Sequence, residues 1–203
     1  MTGFLRQHCP TGDERHLSLL GWMVAGLLLS QTVCFGHWQR ALPLQHCLAA
    51  SWQRRCRRWL GNERIGVESL YGPLVLWAVQ HWQKPGHSLH LALDTTVLWN
   101  RFCVVVLSVV CHGRAIPLLW QTLAHPSASV SAEVVIALLE RANRLLSEFG
   151  AITMLADRAF PSAELLDWFE GRPRWRYLMR LRAQTPGSRG PHSPSELRSP
   201  GSR

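Results

Sequence analysis

Apolar and polar positions change their spacing near the middle of the chain, and this change separates two groups of predicted elements. From Leu17 to about Leu60 the apolar positions recur at helical spacing. Interruptions near Gly36 and Pro43 predict two or three helices in this region. A further helix is predicted from Ile65 to Gln80, whereas residues 1–16 have the character of a polar entry arm.

Beyond Lys84-Pro85-Gly86 the pattern favours strands. Three successive strands joined by short turns are predicted at Leu89–Leu98, Phe102–Cys111 and Ala115–Leu123. The second of them, FCVVVLSVVC, is almost continuously apolar, as a strand covered on both faces would be. The chain then continues as helix, strand, helix and strand, predicted at Ser131–Phe149, Ala151–Ala156, Pro161–Glu170 and Trp175–Leu181. A meander followed by such crossovers predicts a mixed sheet with helices against its faces.

These elements suggest three parts of the chain. Residues 1–83 form a helical region, and residues 84–182 form the domain that carries the sheet. From Thr185 onward, Pro, Gly, Ser and Arg supply most positions, a composition too poor in apolar groups to pack. We therefore expect residues 183–203 to be a disordered tail.

The first predicted strand contains a single acidic residue, Asp94, within the sequence LALDTT. A charged side chain inside a sheet is costly unless it is paired, hydrogen-bonded or bound to a metal ion. The simpler interpretation is an aspartate that caps a turn through Thr95 and Thr96.

A second aspartate, Asp157, stands directly after the predicted strand Ala151–Ala156. If this strand lies beside the one that carries Asp94, the two carboxylates form one patch. Hard divalent cations such as Mg²⁺ and Mn²⁺ prefer oxygen ligands. The pair of aspartates is thus a candidate metal site.

The chain is strongly basic, with a formal net charge of +9 and a pI near 10.3. This balance is typical of proteins that bind nucleic acids or anionic surfaces. In the helix before Gly61, the apolar positions Leu48, Trp52, Cys56, Trp59 and Leu60 share one face. Its remaining surface carries the candidate DNA-binding residues Arg54, Arg55, Arg57 and Arg58. A solvated basic face is the alternative interpretation.

Two features bear on the compartment. The six cysteines are widely separated and include no C-x-x-C pair, which favours buried free thiols in a reducing, cytoplasmic environment over a zinc site. The apolar segment Leu17–Ser30 has nearly the length of a membrane span when it is extended to Phe35, but glycine and glutamine interrupt it. A buried helix is the preferred interpretation, and a membrane-anchored protein is the alternative.

The segment LALDTTVLWNRFCVVVLSVVCHGRAIPLLWQTL, followed after a helix by LADRAF, resembles the catalytic domain of bacterial insertion-sequence DDE transposases of the insertion-sequence-four type. The family's first aspartate matches Asp94. Its second motif matches Asp157, with Ala159 and Phe160 in the expected positions. The RRCRRWL and NERI segments are similar to the N-terminal region of the same proteins, so that the resemblance covers residues 17–182.

The resemblance implies an RNase H-like α/β fold and DNA transposition by metal-dependent phosphodiester hydrolysis and strand transfer at the terminal repeats of an insertion sequence. In such chemistry two Mg²⁺ or Mn²⁺ ions act on the phosphodiester. Asp94 would bridge both ions, and Asp157 would hold one of them. His112, His125 and Arg158 adjoin the two motifs as candidate phosphate contacts, although turn and surface positions explain them more simply.

The chain departs from the family at its third carboxylate. That glutamate belongs to a Tyr-x-x-Arg-x-x-x-Glu signature, whereas here Tyr177 and Arg180 are followed by Gln184 at the glutamate position. We therefore expect a truncated, catalytically incomplete transposase with an incomplete two-ion site. The alternative function is a non-catalytic remnant or inhibitor that binds DNA, a full-length transposase subunit or a second copy of this chain.

Overall fold

The computed structural model describes residues 2–9, 13–42, 48–82 and 88–180. These ranges contain a helical N-terminal region followed by a five-stranded mixed sheet with helices packed on it. The predicted breaks at Pro43 and Lys84-Pro85-Gly86 and the predicted tail at 183–203 lie outside the described residues.

The N-terminal region contains α1 (Thr2–His8), α2 (Glu14–Ser30), α3 (Phe35–Ala41), α4 (Ala49–Leu60) and α5 (Val67–Trp82). The predicted polar entry arm is wrong, because α1 forms within it and Leu5 and Cys9 are buried against Leu70 of α5. The predicted break near Gly36 is confirmed between Ser30, the last residue of α2, and Phe35, the first residue of α3. The chain turns at Gln31, whose left-handed φ of 51° ends α2.

A close approach joins α2 to α3. A Cβ on Gly26 would lie only 2.8 Å from Cβ of Trp38, so the absence of a side chain at Gly26 lets the indole pack directly on the helix. Trp38 forms a small core with Met23, Trp52 and Cys56. Of the apolar face predicted for α4, Trp52 and Cys56 are buried, whereas Leu48 and Leu60 are exposed, contrary to the prediction.

No single helix in the described ranges is long and apolar enough to cross a membrane. Together, α2 and α3 have sufficient length and apolar character, but the two helices meet at an angle of 87°.

The second half of the chain contains β1 (Leu89–Leu98), β2 (Phe102–Cys111), β3 (Arg114–Leu123), α6 (Ala132–Leu145), β4 (Ile152–Ala156), α7 (Ala163–Glu170) and β5 (Trp175–Met179). The strands are ordered β3-β2-β1-β4-β5. The first three are antiparallel, and β4 and β5 run parallel to β1. A mixed five-stranded sheet with flanking helices, preceded by a helical region, confirms the predicted fold class, and its strand order is consistent with an RNase H-like fold.

Tight turns explain why the strands end where the sequence predicts. Trp99 and Asn100 both have left-handed φ values, 52° and 51°, and the amide of Arg101 donates to the carbonyl of Leu98 at 3.0 Å. Two consecutive left-handed residues match the right-handed twist of paired strands. His112 and Gly113 repeat this conformation between β2 and β3, with φ values of 48° and 73°.

The main core lies on one face of the sheet. Leu91 and Leu93 of β1 are buried on that face beneath α6 and α7, together with Val105 and Leu107 of β2. The prediction that β2 is covered on both faces holds only in part, because on the opposite face Ser108 is buried whereas Val104 and Val106 are only partly buried. We call this second face the open face. Asp94 alternates with Leu93 along β1 and therefore lies on the open face.

Candidate functional site

The pairing of β1 with β4 brings the two predicted aspartates together. Leu93 pairs with Ala156 in parallel register, and Asp94 and Asp157 are the next residues along their chains. Since neighbouring strands lie about 4.8 Å apart, the two side chains start from adjacent positions at the same level of the sheet. Both aspartates line one cleft of about 620 Å³.

A backbone amide orients each carboxylate. Oδ1 of Asp94 accepts the amide of Thr95 at 2.8 Å, and Oδ1 of Asp157 accepts the amide of Ala159 at 2.8 Å. The Oδ2 atoms accept no hydrogen bond from the described part of the chain. One oxygen of each carboxylate is therefore held in place, and the other is available to a ligand in the cleft.

Asp94 is neither a turn cap nor a buried charge. It lies inside β1, which continues for four residues to Leu98, and its side chain is exposed on the open face. Exposure removes the cost expected of a charge inside a sheet. Asp157 is likewise exposed, in the turn after β4. Within the described residues neither carboxylate forms an ion pair, so two negative charges share the cleft without a protein cation bound to them.

A cationic side chain from the third parallel strand also lines the cleft. The amide of Arg180 donates to the carbonyl of Ala156 at 3.3 Å, directly after the Ala156–Met179 pair. Arg180 thus continues the row formed by Asp94 and Asp157 across the edge of the sheet. The sequence identified Arg180 only as part of an unmatched signature, because the alignment of β5 with β4 cannot be read from composition or spacing.

The two aspartates suit a single hard cation. Mg²⁺ is commonly bound by one or two carboxylates and keeps several water molecules, which two adjacent aspartates with available oxygens in an open cleft can provide. The described residues contain no cluster of three or more His, Cys, Asp or Glu side chains that could hold a metal ion. A second ion would therefore need ligands from outside this set.

The three other residues named beside the motifs lie in different places. His112 is in the turn between β2 and β3, at the end of the sheet opposite the cleft. His125 follows β3, and its Nδ1 is buried without a hydrogen-bond partner among the described residues. Arg158 is exposed next to Asp157. None of the three lines the cleft of the aspartates.

The predicted basic helix is α4, and Arg54, Arg55, Arg57 and Arg58 are all exposed on it. In the described part of the chain none of these arginines forms an ion pair. Arg55 and Arg58 line a second cavity, to which Arg15 and His16 contribute from the start of α2. The sequence did not identify Arg15 and His16 as partners of α4, because only the packing of the helices brings them near it.

Comparisons with known proteins leave the family of this chain open. No protein-family model matches the chain, and no curated protein matches it. Among solved structures, one from a structural study of the Aquifex aeolicus PPX-GPPA enzyme is 12% identical in sequence to this chain, and the two structures superpose with a TM-score of 0.24. The match covers 45% of this chain and 36% of that chain. A likeness at this TM-score supports no inference about activity.

Proposed function

We propose that this chain is a DNA-binding protein of the DDE transposase class, in which Asp94 and Asp157 hold a divalent cation against a DNA phosphodiester. The observation that carries the proposal is the position of the two carboxylates. They leave adjacent parallel strands at one level, share a cleft, and each keeps one oxygen available. The similarity of LALDTT and LADRAF to the transposase motifs points to DNA as the substrate.

Each residue of the cleft has a distinct role in this proposal. Asp94 and Asp157 act as anionic ligands, and the amides of Thr95 and Ala159 fix their orientation. Arg180 supplies a positive charge to a phosphate oxygen. A bound Mg²⁺ or Mn²⁺ would polarise the phosphodiester and lower the pKa of a water molecule or a 3′-hydroxyl.

We expect this chain to cut DNA little or not at all on its own. The third carboxylate of the transposase signature has no counterpart among the residues after Asp157, and two carboxylates provide for one ion. In-line displacement depends on the reacting groups being held in fixed geometry. A Mg²⁺-dependent nick in DNA that disappears in Asp94→Ala would contradict this expectation.

A second candidate function is DNA binding without catalysis, with the chain acting alone, with a second copy or with a full-length transposase subunit. The observation that favours it is the exposed, unpaired set of arginines on α4 within the described residues. Both candidates place the protein with DNA in the cytoplasm. The buried free thiols of Cys9 and Cys103 suit such a reducing compartment.

The proposal can be tested without relying on turnover. Fe²⁺ replaces Mg²⁺ in the presence of ascorbate and peroxide, and the radicals formed at the bound ion cut whatever lies beside it. We expect cuts in the protein chain near Asp94 and Asp157 and in a bound labelled duplex, with both suppressed by excess Mg²⁺. Asp94→Asn should abolish the cuts, whereas Asp167→Asn, an exposed acidic residue of α7, should leave them. Cuts that are unchanged in Asp94→Asn would overturn the proposal.

A further inference from the structure

A second cavity, bordered by basic side chains, lies in the N-terminal region, remote in sequence from the aspartate cleft. It has a volume of about 220 Å³ and is lined by Arg15, His16, Leu19, Arg55, Arg58, Trp59 and Asn62. We call it the α2–α4 pocket. One water molecule needs only about 10–15 Å³, so the pocket can hold a phosphate group together with water.

All charged residues that line the α2–α4 pocket are positively charged. Its charged lining residues are Arg15, Arg55 and Arg58, and His16 adds an imidazole ring. Three acidic residues, Asp13, Glu14 and Glu63, are close in sequence to the lining residues, and within the described residues none of them forms an ion pair with an arginine of the pocket. Asp13 caps α2 by accepting the amide of Arg15 at 2.8 Å, and Glu14 forms an ion pair with Arg6. The pocket therefore presents guanidinium groups that no carboxylate of the described residues neutralises.

The direction of α4 divides its four arginines into two pairs. Successive residues of a helix are rotated by about 100°, so around α4 Arg55 lies about 40° and Arg58 about 100° from Trp59, whereas Arg54 and Arg57 lie about 140° and about 160° from it. Only the first pair lines the pocket. Trp59 forms a wall of it, and the indole N–H of Trp59 is buried without an acceptor in the described part of the chain.

We propose that the α2–α4 pocket is a binding site for a phosphate group, and that its ligand is a backbone phosphate of DNA. Guanidinium groups from two helices can surround the phosphate oxygens with charge-assisted hydrogen bonds. The choice of DNA as the source rests on the proposed function. The phosphate chemistry rests on the pocket alone. The site assigns Arg15 and His16 to DNA contact and removes Arg54 and Arg57 from it.

The test uses two double variants with the same change in charge on the same helix. Binding of a fluorescent duplex to the full chain is followed by anisotropy over a range of KCl concentrations. Arg55→Gln/Arg58→Gln should weaken binding by roughly tenfold or more, and should lower the slope of log K against log salt by about 1.8 if both contacts are to phosphate. Arg54→Gln/Arg57→Gln should change affinity by less than about threefold, because these arginines face away from the pocket. If both double variants lose the same amount of DNA affinity, the arginines act through diffuse electrostatic attraction and the pocket is not a phosphate site.

Inorganic phosphate and vesicles separate the sources of the ligand. Inorganic phosphate should raise the melting temperature of the wild type and of Arg54→Gln/Arg57→Gln above that in chloride at equal ionic strength, and should not do so for Arg55→Gln/Arg58→Gln. Arg15→Gln should reduce both the phosphate effect and DNA affinity. Binding to phosphatidylserine vesicles in place of DNA would contradict the choice of DNA.

Iron-directed cutting at Asp94 separates this proposal from the proposed function. If Asp94→Asn abolishes the cuts while Arg55→Gln/Arg58→Gln binds DNA like the wild type, the pocket fails and the metal site stands. If iron makes no cuts near Asp94 while Arg55→Gln/Arg58→Gln loses DNA, the metal site fails and the pocket stands.

Discussion

Asp94 and Asp157 each follow one member of the Leu93–Ala156 pair, so two carboxylates leave adjacent parallel strands side by side and line one cleft. Parallel strands direct their carboxyl ends to the same edge of a sheet. Residues that follow paired positions are therefore neighbours, however far apart they are in sequence. Arg180 joins the row by the same rule, because Ala156 also pairs with Met179.

The charge of Arg180 is expected to assist DNA binding in the cleft. Arg180→Gln should weaken Mg²⁺-dependent DNA binding. It should also lower the slope of log K against log salt by the amount expected for about one phosphate contact. Arg176 is the matched control, since it lies on the same strand and the same face but pairs with Thr153 and does not line the cleft. Anisotropy titrations of both variants decide the question. A loss in Arg176→Gln as large as that in Arg180→Gln would indicate a general effect of charge.

Because the core lies on one face of the sheet, alanine substitutions at two leucines on opposite faces should change the free energy of unfolding by very different amounts. Leu107 of β2 is fully buried, whereas Leu178 of β5 is 68% exposed on the open face. Leu107→Ala should lower the free energy of unfolding by about 2–5 kcal/mol, because it leaves a cavity in the core. Leu178→Ala should change it by less than about 0.5 kcal/mol and should reduce aggregation. Urea denaturation with light scattering measures both effects, and similar losses in stability would contradict the one-sided core.

Arg174 caps the C-terminal end of α6 by hydrogen-bonding to backbone carbonyl groups there. Its guanidinium donates to the carbonyls of Asn143, Leu146, Ser147 and Phe149 and to Oδ1 of Asn143. Arg174→Ala should cost about 1.5–3 kcal/mol of stability, since it leaves half-buried carbonyls without a charged donor. Arg174→Lys should recover only part of this loss, because an ammonium group lacks the planar fork of donors. Full recovery by lysine in thermal unfolding would argue that charge alone matters.

Burial of two thiols predicts a loss of stability in alkali. Cys9 and Cys103 are fully buried, and burial raises the pKa of each thiol above its ordinary value of 9.0. Above about pH 9 the unfolded chain therefore loses these protons more readily than the folded chain, and the free energy of unfolding falls. Unfolding measured from pH 7 to 10 should show a decline that Cys9→Ala and Cys103→Ala reduce. In the native protein an alkylating reagent should label exposed Cys34 before either buried thiol.

The sequence predicted the strands better than the helices. β1 and β2 have the bounds that the sequence predicts, because the apolar runs stop at left-handed turn residues after β1 and after β2. The helix α1 was missed, because its stability comes from contacts of Leu5 and Cys9 with the distant Leu70. The half-burial of Val106 was missed as well, since an apolar run does not reveal which face of a sheet the helices cover.

The candidate site was predictable only in part. Asp94 and Asp157 could be identified from their positions in and beside strands and from the motifs around them. The role of Arg180 depends on the register of β5, and the link of Arg55 with Arg15 depends on the packing of α4 against α2. Both are tertiary relationships between residues far apart in sequence, so local spacing carries no signal for them.

The most direct test of the account is the binding of Mn²⁺ to the wild-type protein, measured as loss of the free-ion EPR signal. We predict that Asp94→Asn and Asp157→Asn each weaken binding by roughly tenfold or more, with circular dichroism unchanged, and that Asp167→Asn binds like the wild type. If Mn²⁺ binds equally well to the wild type and both cleft variants, Asp94 and Asp157 hold no metal ion and the proposed function is wrong.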